Sequence, residues 1–164
     1  MIGDTTMEEI RLVGKIEGFP IEDIPETINH KIQIVSNIKL SHSEQFLFNY
    51  SLRLVITQLT KENIDFSTLH GVIVMFLSDG NFSIQNTRNG FAGVTTSVII
   101  YVINVIRRYK DINKIMAIFI EELAHHFWNI EDEIVVKHKV LEIMRFIEPD
   151  LSMEAIYDNG EQFK

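Results

Sequence analysis

Residues 112–128 read INKIMAIFIEELAHHFW, and the way this stretch folds sets the arrangement of everything around it. Ile112, Ile115, Met116, Phe119, Leu123 and Phe127 recur at three- and four-residue intervals, which places them on one broad apolar stripe of a helix. Asp111 stands where that helix needs an N-cap. The same spacing pairs Glu121 with His125 and Glu122 with His126, because residues four apart share a helix face. Ionisable side chains at the end of so apolar a helix lie near the core and need partners there. After a short break, Glu131, Asp132 and Glu133 open a second helix that runs to about Phe146, with Pro149 just beyond its end.

Upstream of this pair the pattern changes period. Residues 97–103 (SVIIYVI) are β-branched and aromatic, which favours a strand, although Val98, Val102, Val105 and Tyr109 also fit a helical stripe. Residues 71–77 (GVIVMFL) form a continuous apolar run of strand length, as expected of a strand buried on both faces. The turn signal at 78–81 (SDGN) followed by alternating Phe82–Gln85 predicts a hairpin, and 86–93 reads as a connecting loop. Ser41 and Glu44 have the spacing of a capping box ahead of a helix over about 43–60. Residues 31–38 alternate like a half-buried strand, and 8–14 fit a helical turn or two. The order predicts an α+β protein: a helix, a small mixed sheet, the motif-bearing helix and a following C-terminal helix. Residues 1–40 form a lead-in, 41–150 the main unit and 151–164 a tail.

A length of 164 residues with 46% hydrophobic and 23% charged content suits one globular domain. Fifteen Lys and Arg against 23 Asp and Glu leave a net charge of -8, which argues against a general nucleic-acid binder. The nearest basic patch is only Arg107, Arg108 and Lys110. Cysteine is absent, so disulfide scaffolds, thiolate zinc sites and cysteine nucleophiles are excluded together. Any metal site must be built from histidine and carboxylates. The N-terminal residues are acidic where a signal peptide is basic, and the apolar stretch 98–106 falls short of the roughly 20 residues that span a bilayer. A cytoplasmic protein without membrane or nucleic-acid partners is the expectation.

The segment Phe119-Ile-Glu121-Glu122-Leu-Ala-His125 resembles the motif helix of the zincin metalloproteases, most closely the gluzincin branch. That family carries His-Glu-x-x-His on a helix, two histidines binding zinc and the glutamate activating water. A third ligand, a glutamate, comes from the following helix. The resemblance covers about residues 43–147 and implies a zincin-like minidomain. It implies Glu122 as general base, His125 as a metal ligand and Glu133 as the third ligand, with Asp132 the alternative. It also implies a peptide or protein substrate lying along the strand near 97–103. The motif is degenerate, since Glu121 stands where the family has its first histidine. A Glu121, His125, Glu133 set still holds a divalent ion, but the extra carboxylate weakens the metal as a Lewis acid and favours Mn²⁺ or Fe²⁺ over Zn²⁺. If the ion sits one step around the helix, Glu122 and His126 become the paired ligands.

Other readings use the same residues. Glu122-x-x-His125 is also the motif that di-iron carboxylate bundles draw from two helices, but the chain has one copy and its strands do not suit a bundle. Two solvated Glu–His contacts on a helix account for 121–126 at a few tenths of a kcal/mol each. An acidic first turn that complements the helix dipole accounts for 131–133. His30, His42, His70 and His138 are isolated. Two functions follow: a divalent-metal peptidase, or a catalytically inactive relative serving as a binding or regulatory module. A homodimer would cover the apolar 98–103 strand in the second case.

Overall fold

The computed structural model describes residues 18–80 and 97–157. Residues 8–14, Phe82–Gln85 and 86–93, read above as helical turns, a hairpin arm and a loop, lie outside the described residues.

A short helix α1 (Glu26–Asn29) leads into strand β1 (Ile32–Ser36). Helix α2 (His42–Lys61) starts at the capping box that the sequence spells out. Ser41 Oγ accepts from the Glu44 N–H at 3.2 Å, and Glu44 Oε2 accepts from the Ser41 N–H at 2.7 Å. Strands β2 (Val72–Leu77) and β3 (Ser97–Val102) follow. The described sheet has the order β1-β2-β3 and is parallel throughout, with Ile34 opposite Val74 and Val74 opposite Ile99. A mixed sheet is the sequence expectation, and among the described residues no antiparallel pair is found. Parallel neighbours need a crossover rather than a tight turn, and α2 supplies it between β1 and β2. The protein is therefore α+β, with a small three-stranded sheet.

The two faces of the sheet explain the uninterrupted apolar run of β2. Val72, Val74 and Phe76 point into the main core with Ile99 and Tyr101, whereas Met75 and Leu77 join Val35 in a smaller cluster on the opposite face. The ambiguity at 97–106 is resolved by division: the strand ends at Val102 and one helical turn, α3 (Ile103–Ile106), follows directly. Helix α4 (Ile112–Trp128) is capped by Asp111 and packs against α2 and β3. Helix α5 (Glu133–Met144) starts two residues later than expected and packs against α4. The helical turn α6 (Met153–Ile156) comes last. Ile28, Ile32 and Leu40 at one end of the chain and Leu151, Ile156 and Tyr157 at the other are buried in the same cluster as α2 and α4.

Aromatic rings join the layers. Phe48 of α2 is fully buried, with its ring 5.0 Å from Phe76, 5.9 Å from Tyr101 and 5.6 Å from Phe119, all edge-on. The Tyr101 hydroxyl donates to the Phe119 carbonyl at 2.7 Å, tying β3 to the middle of α4. Trp128 anchors the far end of α4, donating to Glu62 at 2.6 Å beneath the Lys139 ammonium.

Arg107, just past α3, clamps the α2 cap: its Nε donates to Glu44 Oε1 at 2.7 Å. This hydrogen bond holds the Glu44 carboxyl below its ordinary value of 4.5. The proton is thus bound less readily in the folded than in the unfolded chain. The pair's stabilisation is present above the unfolded pKa and is lost as pH falls through the depressed folded value. Glu44→Gln keeps the capping bond and removes the charge. It is expected to cost about 1 kcal/mol or less at neutral pH and to flatten the acid limb of a melting-temperature profile below pH 5.

Candidate metal centre

The site forms where α4 ends and α5 begins. Asn129 takes the left-handed conformation (φ 51°), the usual way to stop a helix, and its N–H bonds back to the His125 carbonyl. The Ile130 N–H reaches the same carbonyl at 3.2 Å. This reversal brings the Ile130 carbonyl onto His125 Nδ1 at 2.5 Å. A carbonyl oxygen only accepts, so Nδ1 carries a proton and Nε2 is the ring nitrogen left to face an ion. Nε2 lies 3.9 Å from Glu133 Oε1 in the first turn of α5. Glu121 stands one helical turn before His125 on the same face. One donor atom from each of Glu121, His125 and Glu133 lies within 4.8 Å of the others, the one such group among the described residues.

The donor set can close on a divalent ion, although spacings of up to 4.8 Å are wider than bound ligands show. Two ligands at about 2 Å from a tetrahedral ion lie roughly 3.4 Å apart, so His125 and Glu133 need to close by about half an ångström. The Glu133 side chain is 69% exposed and has the freedom to do so. A backbone carbonyl holding the non-ligating nitrogen is the usual support for a histidine ligand. The group can therefore hold a metal ion.

Both carboxyls at the end of α4 are shifted upward, first of all by burial. Burial raises the Glu121 carboxyl above its ordinary value, a hydrogen bond from Tyr157 opposes the rise, and the Glu133 charge adds to it. Tyr157 Oη donates to Glu121 Oε2 at 2.8 Å, and both residues are buried. Glu122 is exposed at the mouth of the site. The desolvation it does experience raises its carboxyl, His125 opposes this, and the charges of Glu121 and Glu133 add to it. A cleft of about 560 Å³ brings Glu122, His125 and Glu133 together with Ser97, Val98 and Ile99 of β3. Glu122, two of the three candidate ligands and the start of β3 thus line one cleft, while Glu121 is buried behind it.

The alternatives have other partners. Asp132 is the N-cap of α5, its Oδ1 accepting from the N–H groups of Ile134 at 2.8 Å and Val135 at 3.0 Å. His126 Nε2 sits 3.2 Å from the His70 carbonyl, and burial lowers its pKa. It lines the cleft without joining the three-donor group. His30 and His70, isolated in the sequence, line a neighbouring cleft of about 710 Å³ that shares Ser97. Tyr157 is the residue that sequence reasoning misses, since one tyrosine in the short segment 151–157 carries no periodic signal.

No described helix is long and apolar enough to cross a membrane. Comparison with protein-family models, with curated proteins and with solved structures finds no match to this chain.

Proposed function

We propose that the protein is a zincin-like, divalent-metal-dependent peptidase whose ligands are Glu121, His125 and Glu133 and whose general base is Glu122. The observation that carries this reading is the convergence of three donor atoms within 4.8 Å, two of them from residues of a cleft that Glu122 and β3 also line. A bound divalent cation would supply Lewis-acid polarisation of a peptide carbonyl and would acidify a water molecule. Glu122, its carboxyl raised toward the range useful for proton transfer, takes the proton of the attacking water and later delivers it to the leaving amine. Ser97–Ile99 belong to the outer strand of the described sheet and offer backbone groups along which an extended peptide is held.

Glu122→Gln separates the base from the ligands. Incubated with a mixture of peptides of varied sequence and followed by mass spectrometry, the metal-loaded wild type should yield cleavage products. E122Q should bind metal equally well and cleave at least about 100-fold more slowly. Equal cleavage by both proteins would remove Glu122 from the mechanism.

One observation favours a second reading. Glu121 brings a charged ligand where the resembled motif has a neutral imidazole, which lowers the Lewis acidity of the ion. A module that binds metal and peptide without hydrolysis has this donor set too. Metal binding by the wild type with no products in the same peptide mixture would select it.

A further inference from the structure

We propose that Tyr157 is a positioning residue: it restricts Glu121 to coordination through one oxygen and thereby biases the site toward Zn²⁺ over larger, higher-coordinate cations. The inference rests on the metal-centre reading above and adds to it the C-terminal segment 151–157.

The phenol is held firmly. The Tyr157 N–H donates to the Met153 carbonyl at 2.8 Å, Ile156 beside it is fully buried, and the Lys137 ammonium of α5 lies 5.1 Å from the ring centroid. Arg145 Nε, at the end of α5, donates to the Leu151 carbonyl at 3.1 Å and secures the start of the segment. From this platform the hydroxyl donates to Glu121 Oε2 at 2.8 Å in a buried setting. A buried carboxylate oxygen engaged by a fixed donor gives up less charge to an ion, so Oε1 becomes the ligating atom. A carboxylate held to one oxygen acts as a single-point donor, as an imidazole at the same helical position would. Small tetrahedral Zn²⁺ accepts such a donor, whereas Mn²⁺ favours more oxygen donors, which a bidentate carboxylate helps to supply.

The test titrates wild type and Tyr157→Phe with Zn²⁺ and Mn²⁺ in competition with a chromophoric chelator, and records the visible spectrum of each protein loaded with Co²⁺. Y157F deletes one oxygen and keeps the ring. Its Zn²⁺ affinity is expected to fall by about 10–100-fold, and its Mn²⁺ affinity by less, so the preference narrows. The strong tetrahedral-type Co²⁺ absorption of the wild type should weaken. The same substitution in a Glu121→His background should leave Zn²⁺ affinity unchanged, because the imidazole has no second oxygen to restrain. An equal loss in that background would mark Tyr157 as merely structural and overturn the inference. So would unchanged affinities and spectrum in Y157F, with the metal-centre reading left standing. The wild type is informative without any variant, because weak octahedral-type Co²⁺ absorption contradicts the tetrahedral, Zn²⁺-preferring site inferred here. Failure of the wild type to bind any of the three ions overturns the metal-centre reading, and this inference with it.

Discussion

Zn²⁺ at a hundredfold excess over its dissociation constant is expected to raise the melting temperature of the wild-type protein by about 5–10 °C and to leave His125→Ala unmoved. Binding to the folded state alone contributes about 2.7 kcal/mol at that excess. Each kcal/mol shifts the melting point of a domain of this size by roughly 2–4 °C. His125 is the right probe because its protonated Nδ1 is committed to the Ile130 carbonyl, which leaves Nε2 toward Glu133 and Glu121. The substitution also deletes that hydrogen bond, so the apo protein loses some stability on its own account. The decisive quantity is therefore the difference between metal-loaded and chelator-treated samples within each variant, read by thermal melting. Equal shifts in wild type and H125A would place the ion elsewhere.

The second large effect concerns what holds the site in place. Phe48→Ala is expected to destabilise the protein by about 3–5 kcal/mol, measured by urea unfolding. Phe48 is fully buried, and its ring meets Phe19, Phe76, Tyr101 and Phe119 at centroid distances of 5.0–6.0 Å. Removing it leaves a cavity where α2, the sheet and α4 meet, and α4 carries Glu121, Glu122 and His125. Phe46, two residues earlier on the same helix, is 59% exposed. Its replacement by alanine should cost no more than about 0.5 kcal/mol, which makes it the control.

The parts of this protein that a sequence announces are those with strong local periodicity. The stripe of α4 and the Ser41–Glu44 capping box each carry their own signal within a few residues, and both appear where the pattern puts them, except that Ile112 at the start of the stripe is exposed. The pairing of Glu121 with His125 follows from helical geometry alone. Glu133 and Asp132 are different: adjacent acids look alike in a sequence, and only the cap decides between them. Asp132 is spent on two backbone N–H groups, which leaves Glu133 one step into the helix and facing His125. The direction of the strands is not a local property either. Ser78-Asp79-Gly80 suggests a tight reversal, yet β2 and β3 run parallel, which a tight turn cannot join. Tyr157 reaches Glu121 across 36 positions of chain, and no spacing rule links them. The reversal at Asn129, which aligns His125 with Glu133, depends on a single left-handed residue that the composition around it does not single out.

Equilibrium dialysis of the wild-type protein against Zn²⁺, Mn²⁺ and Fe²⁺, followed by elemental analysis, tests the metal centre most directly. One equivalent of a divalent ion per chain, lost on replacement of Glu121 or His125 by alanine, is the expected result. Stoichiometry near zero with all three ions would contradict it and leave Glu121, His125 and Glu133 as an acidic helix junction without a metal.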